Sequence, residues 1–182
     1  MPSHVCPWWA AYTFDHRFRR IFHRPEKILG PYVRRGMTVM DVGCGMGFFS
    51  IGMARLVGDE GRVIAVDVQQ QMLDVLKQRA EQAGVAGRIR THPCRPDLLG
   101  VDAVVDFALA FWVVHEAPHA RHFLSQVHSC LGSNARFLLV EPRWHVSSRA
   151  FQETLATARD VGLSLCEEPR VRMSRSAVFL NQ

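Results

Sequence analysis

Three glycines at alternate positions, Gly43, Gly45 and Gly47, lie between a strand-like run, Thr38–Val42, and a helix-like run, Phe48–Val57. A loop without Cβ atoms lets the backbone approach a ligand closely and tolerates positive φ. The helix behind it adds a positive dipole end and unpaired N–H groups, which favour an anionic ligand group. Asp67, twenty residues past Gly47, closes the next strand-like run, Arg62–Asp67. A carboxylate there can accept hydrogen bonds from both hydroxyls of a ribose. Loop and acid together specify a seat for a nucleotide-like cofactor. His115 and His145 follow later strand-like runs, and imidazole, with an ordinary pKa of about 6.5, suits proton transfer.

Holding these residues requires an alternation of strands and helices. After the turn-like Gly58-Asp59-Glu60-Gly61 comes the Arg62–Asp67 strand, and Met72, Leu73, Leu76, Ala80 and Ala83 then fall on one helical face ahead of Gly84. Residues 89–92 and 104–110 read as strands, and Phe123, Leu124, Val127 and Leu131 mark a helix over 119–131. A fifth strand follows over 137–141, and Phe151, Leu155 and Ala158 share a face of a helix over 148–161. The extended stretches 164–168 and 177–180 leave no room for a helix between them, so they pair antiparallel. The prediction is an α/β, Rossmann-like, largely parallel sheet with helices on both faces and its crevice at the carboxyl ends of the strands. With no repeat, low-complexity tract or flexible linker, residues 1–182 read as a single domain, of which 1–30 form an aromatic N-terminal arm or lid.

The loop departs from the GxGxxG of nicotinamide and flavin proteins, because its last position is Phe48. The spelling Asp41-x-Gly43-x-Gly45-x-Gly47, with Asp67 ending the second strand, resembles the class I S-adenosylmethionine-dependent methyltransferases of small-molecule type, from about residue 30 to the end of the chain. The resemblance implies a seven-stranded sheet with its last strand antiparallel and S-adenosyl-L-methionine as cofactor. It places Gly43, Gly45 and Gly47 against the amino-acid part of that cofactor, with Asp41 reaching the ammonium group through water or backbone. Asp67 would hold the ribose and Val68 would pack on adenine. The chain departs from the pattern after the third strand. There many members carry an acid or amide for adenine, whereas this sequence reads Thr91-His92-Pro93-Cys94-Arg95; backbone groups or Asp97 are the alternatives.

In that frame the stretch ALAFWVVHEAP, residues 108–118, leaves the fourth strand where methyl transfer would occur. A displacement at a sulfonium-bound carbon needs alignment, exclusion of water and sometimes removal of a proton. His115 is the leading base, with a backbone-bonding histidine as the alternative reading. VEPRWHVS, residues 140–147, projects from the same sheet edge and adds Glu141, Trp144 and His145. His145 reads as a second catalytic candidate or a loop histidine, and Glu141 equally as a satisfied acid at a strand end. Trp8 and Trp9, with Trp112 and Trp144, are candidate walls of the substrate pocket; π faces attract a sulfonium and exclude water. The two N-terminal tryptophans equally suit a groove on the domain or a second copy.

Five scattered cysteines without a CxxC pair argue against a disulfide framework and a structural zinc site, and no metal is assigned. The longest apolar stretch, 104–114, is too short to span a bilayer and carries Asp106, so a cytoplasmic protein without membrane partner is expected. A net charge of +5 is spread over several arginine clusters, not one basic block, which disfavours nucleic acid as a partner. The expected activity is methyl transfer to a small-molecule acceptor by direct displacement. An RNA methyltransferase and a non-catalytic cofactor-binding module are the alternatives, and the oligomeric state stays open.

Overall fold

The computed structural model describes residues 23–182. Numbered from the first described element, the order is α1 (Pro25–Leu29), β1 (Thr38–Val42), α2 (Phe48–Val57), β2 (Arg62–Asp67), α3 (Gln70–Gln82), β3 (Ile89–Pro93) and β4 (Val105–Phe111). There follow α4 (Ala120–Cys130), β5 (Leu131–Pro142), α5 (Ser148–Asp160), β6 (Leu163–Glu167) and β7 (Ser174–Asn181). Single 3₁₀ turns stand at Ala86–Arg88 and Val114–Glu116.

Strands alternate their side chains between two apolar layers, the two-residue period of a sheet buried on both faces. Val39, Phe107, Leu109 and Leu138 face one layer, where Phe49 and Met53 of α2 and Leu73 and Leu76 of α3 cover them. Met40, Ala108, Phe137 and Leu139 face the other, under Phe123 and Leu124 of α4 and Phe151 and Leu155 of α5. The sheet has seven strands in the order β3-β2-β1-β4-β5-β7-β6. Strands β1 to β5 pair in parallel, and β7 runs antiparallel between β5 and β6. This is the expected Rossmann-like fold with its antiparallel closing pair. Because β1 and β4 are neighbours while their connections lead away to opposite sides, the chain opens a crevice at their carboxyl ends.

Three local features differ from the sequence expectation. Helix α1 lies inside the stretch read as an irregular arm; its Leu29 is fully buried, and it docks on α2 at Gly52, where an added Cβ would come within 2.4 Å of Pro25. Leu131, expected in a helix, opens a twelve-residue strand β5. Asn181 of β7 donates to the carbonyls of Leu131 (2.8 Å) and Gly132 (3.1 Å) and ties this end to the sheet, while the strand bulges before Arg136 with Asn134 at φ +63°. Strand β7 likewise begins at Ser174, since Pro142 and Glu141 of β5 pair with Ser174 and Arg175. Residues Trp8 and Trp9 and most of the arm lie outside the described residues. Among the described residues, no helix is long and apolar enough to cross a membrane.

Candidate active site

The loop after β1 is shaped by its neighbours. A Cβ on Gly43 would meet Cγ2 of Val113 at 2.6 Å, and one on Gly47 would meet Cγ of Leu76 at 2.6 Å. Gly45 is different: it has φ +52° and open space where a side chain would stand, so here the loop is bare toward the crevice. The loop spends several of its N–H groups internally. Gly43 and Cys44 donate to the Val66 carbonyl (2.8 and 3.0 Å), and Gly47 donates to that of Cys44 (3.0 Å). Its contribution is therefore a shaped cradle more than a ring of outward amides.

Asp67 clamps this cradle. Its Oδ2 accepts from the Gly45 N–H at 2.8 Å and its Oδ1 from Gln69 at 2.9 Å. Each oxygen keeps further lone-pair capacity. Burial raises the Asp67 pKa above 3.8, against the lowering effect of these backbone donors. Asp41 is also buried, and its Oδ2 accepts from the Ser50 hydroxyl at 2.5 Å, tying β1 to α2. Val68, the next residue after Asp67, is exposed and apolar, as a surface for a flat heteroaromatic ring must be. Cys94 donates its N–H to the Asp67 carbonyl at 3.0 Å; burial and the Asp67 charge push its thiol up to about 11. Cys44 is raised well above the ordinary thiol value by burial and by the Asp41 and Asp67 charges. Both thiols are thus neutral and poorly nucleophilic near neutrality. An open glycine cradle beside a buried carboxylate with spare acceptor capacity fits the cofactor that the sequence implies.

The other wall begins at Trp112. Its φ of +63° is rare for a bulky residue. The conformation is pinned by its N–H on the Val140 carbonyl (2.8 Å) and its Nε1–H on the Ser174 hydroxyl (3.0 Å). Trp144 packs edge-on against it at 4.8 Å and is 54% exposed. His23 supports Trp112 from behind at 5.3 Å. Trp112 and Trp144, two of the four expected pocket tryptophans, therefore meet at one edge of the crevice.

Val113 then touches the glycine loop, and the 3₁₀ turn Val114–Glu116 brings His115 over the end of β5. Glu141, only 1% exposed, accepts the Val114 N–H at 2.9 Å through Oε1 and contacts His115 Nδ1 at 2.5 Å through Oε2. The bond assigns the proton to Nδ1 and leaves Nε2 as the basic nitrogen. Burial lowers the His115 pKa, but the Glu141 hydrogen bond and the charges of Glu141 and Glu116 outweigh it, so the net shift is upward from 6.5. The His145 ring lies 5.0 Å from that of His115. The two histidines named from sequence are thus adjacent. Glu141, left open between a functional and a satisfied acid, is the group that orients one of them. Its signal was an acid ending an otherwise apolar run, Phe137 to Val140.

A separate cavity of about 400 Å³ lies at the amino ends of β1, β2 and β3, lined by Thr38, Arg62, Arg88 and Arg90. It sits at the edge opposite the crevice. Arg62 and Arg88 are tied there to Asp59 and to backbone carbonyls, a clip that holds the turn after α2.

Comparison with known proteins agrees with this geometry. The model of a methyltransferase domain matches residues 34–172. A probable cobalt-precorrin-6B C(15)-methyltransferase of Pyrobaculum calidifontis is 44% identical over 57 residues, 31% of this chain and 29% of that protein. A ribosomal protein L11 methyltransferase of Pelotomaculum thermopropionicum is 37% identical over 93 residues, 47% of this chain and 30% of that protein. These matches span less than a third of the length of either relative. A crystal structure of a SAM-dependent methyltransferase from Aquifex aeolicus superposes with TM-score 0.88 at 22% identity, over 98% of this chain and 100% of that one, and shares its fold. With the glycine cradle, the buried Asp67 and the seven-stranded sheet in place, the chain belongs to the methyltransferase domain family and has the class I S-adenosylmethionine-dependent methyltransferase fold.

Proposed function

We propose that this methyltransferase acts on a small molecule, moving the methyl group directly onto an acceptor atom whose proton His115 removes. The observation that carries the reading is the Glu141–His115 contact of 2.5 Å beside the Trp112–Trp144 pair. S-adenosylmethionine, when bound, supplies an electrophilic methyl on a sulfonium. Gly43, Gly45 and Gly47 would shape its seat, with Asp41 bracing the start of α2 through Ser50, Asp67 would hold its ribose and Val68 would offer an apolar surface to its base. Trp112 and Trp144 present an aromatic wall that excludes water and orients a flat methyl acceptor. His115, held by Glu141, accepts the proton through Nε2, a contribution of about 10² to 10⁴ in rate for a positioned base. His145, its ring tilted 5.0 Å away, shares the approach to the acceptor atom.

The two relatives differ in acceptor: one is named for a precorrin and the other for a ribosomal protein. A flat acceptor is favoured here by the tryptophan pair. The test is incubation with methyl-labelled S-adenosylmethionine and separated small-molecule, RNA and protein fractions of a cell extract. Label in the small-molecule fraction is expected. Label confined to RNA or protein would overturn the reading, and tight S-adenosylhomocysteine binding with no labelled product would favour a binding module.

A further inference from the structure

Across the antiparallel β5–β7 pair, Glu141 stands directly opposite Arg175. Opposite charges at such positions ordinarily attract and pair. Here Glu141 uses its two oxygens on the Val114 N–H and His115 Nδ1 instead. Among the described residues no ion pair joins it to Arg175, and the Nε–H of Arg175 is enclosed without any hydrogen-bond partner. A guanidinium cannot shed its proton to relieve this, and an enclosed donor left unmatched is disfavoured. The carboxylate that β7 would normally meet has been diverted to the proposed base.

Two further features make this end of the crevice cationic. Arg143, just past β5, donates its N–H to the Met173 carbonyl and its Nε to the Ser174 carbonyl at 2.9 Å. That fixes the stem of an exposed side chain whose remaining donors form a planar fork. Helix α5 starts at Ser148 with Ser147 as its cap, so its positive dipole end lies a few residues beyond His145. Ser174, whose hydroxyl holds Trp112, precedes Arg175 by one residue, so the aromatic wall and the unmatched cation share one strand end.

We infer that the methyl acceptor is an anion, a small flat molecule bearing a carboxylate, and that Arg175, aided by Arg143, holds that carboxylate while the reacting atom lies at His115. One strand, β5, separates the β4 end from the β7 end, so the charged and reacting groups sit at opposite ends of one flat molecule. The guanidinium fork matches a carboxylate in a way that a neutral amide cannot. The inference rests on the small-molecule reading and adds the charge of the acceptor.

The probe is a matched pair, 4-hydroxybenzoate and neutral 4-hydroxybenzamide, titrated into protein saturated with S-adenosylhomocysteine and followed by tryptophan fluorescence. The carboxylate is expected to bind about tenfold or more tightly than the amide. Arg175→Gln removes the preference, Arg175→Lys retains part of it, and S-adenosylhomocysteine affinity measured by calorimetry stays unchanged in both. Equal affinity within the pair, including no binding of either, or a preference that survives Arg175→Gln, overturns the inference. The labelled extract separates the two levels. Product retained on an anion exchanger supports an anionic acceptor. A neutral or cationic small-molecule product overturns it and leaves the small-molecule reading standing, while label in macromolecules removes both.

Discussion

The Glu141 carboxylate lies 2.5 Å from Nδ1 of His115, which makes a buried acid on β5 the orienting partner of an imidazole beyond β4. The same carboxylate fixes the Val114 N–H, so the turn and the ring are held by one side chain. Histidine oriented in this way offers a defined nitrogen to the acceptor and needs no reorganisation when the proton moves.

The first prediction concerns pH. Burial depresses the His115 pKa, and Glu141 and Glu116 more than restore it, leaving it above 6.5. A base must be neutral to act, so the acidic limb of the rate profile should fall above the value for free imidazole. The stabilisation gained from protonated His115 is fully present below the unfolded value and is lost as pH rises through the higher folded one. Glu141→Gln should move the limb to lower pH and flatten this stability change, seen in kcat against pH and in thermal unfolding against pH. A limb that stays put would show that Glu141 does not act through His115. His115→Ala should lower kcat by about 10² or more without altering S-adenosylhomocysteine binding.

Asp67 gives a second, its pKa also raised but here by burial. Burial raises its pKa above 3.8, so in the ligand-free protein its ionised form is disfavoured. Ribose hydroxyls donate to the ionised form, so ligand binding should pull the pKa down and release a proton at mildly acidic pH. S-adenosylhomocysteine affinity should therefore weaken as pH falls toward the raised value, earlier than for an ordinary aspartate. Asp67→Ala should cost about 1–3 kcal/mol of binding and abolish that dependence. Calorimetry across pH reads both.

A third tests the touch between the two loops. Gly43→Ala would drive a Cβ to 2.6 Å from Val113, and its φ of +70° adds strain. A loss of about 1–3 kcal/mol in unfolding free energy is expected. Val113→Ala in the same chain should recover part of it, with a coupling of about 0.5 kcal/mol or more in the double-mutant cycle. Strictly additive effects would mean that the contact carries nothing. Gly45→Ala meets no neighbour and carries only the strain of its φ of +52°, so it should cost less stability than Gly43→Ala while lowering ligand affinity.

The fourth is a structural control. The Ser147 hydroxyl accepts the Ala150 N–H at 3.1 Å and caps α5. Ser147→Ala should lower stability by about 1 kcal/mol, read in denaturant unfolding with unchanged slope.

The sheet was legible because its signals are local. The runs Thr38–Val42, Phe48–Val57 and Arg62–Asp67 carry their own period and punctuation, and their observed bounds coincide with the expected ones. The start of β5 was not legible, because Leu131 and Gly132 are tied to the sheet by Asn181, some fifty residues away. The fork at Arg143 and the position of Ser174 depend on the same remote pairing. At the site, residue types singled out the two histidines and Asp67 as candidates. No spacing in one dimension joins His115 to Glu141 or sets Arg175 opposite that acid; both relations arise from strand order. The reason for Gly43 and Gly47 was equally hidden, since their partners Val113 and Leu76 lie far along the chain.

The side chain of Val113 rests on Gly43, one residue from the start of the turn that carries His115. The glycine loop and the histidine-bearing turn therefore share a mechanical bearing with no flexible spacer between them. A shift of a few tenths of an ångström in the glycine loop must be taken up at residue 113 and passed to the imidazole. On the proposed reading, loading the donor would then be felt at the base through one van der Waals contact.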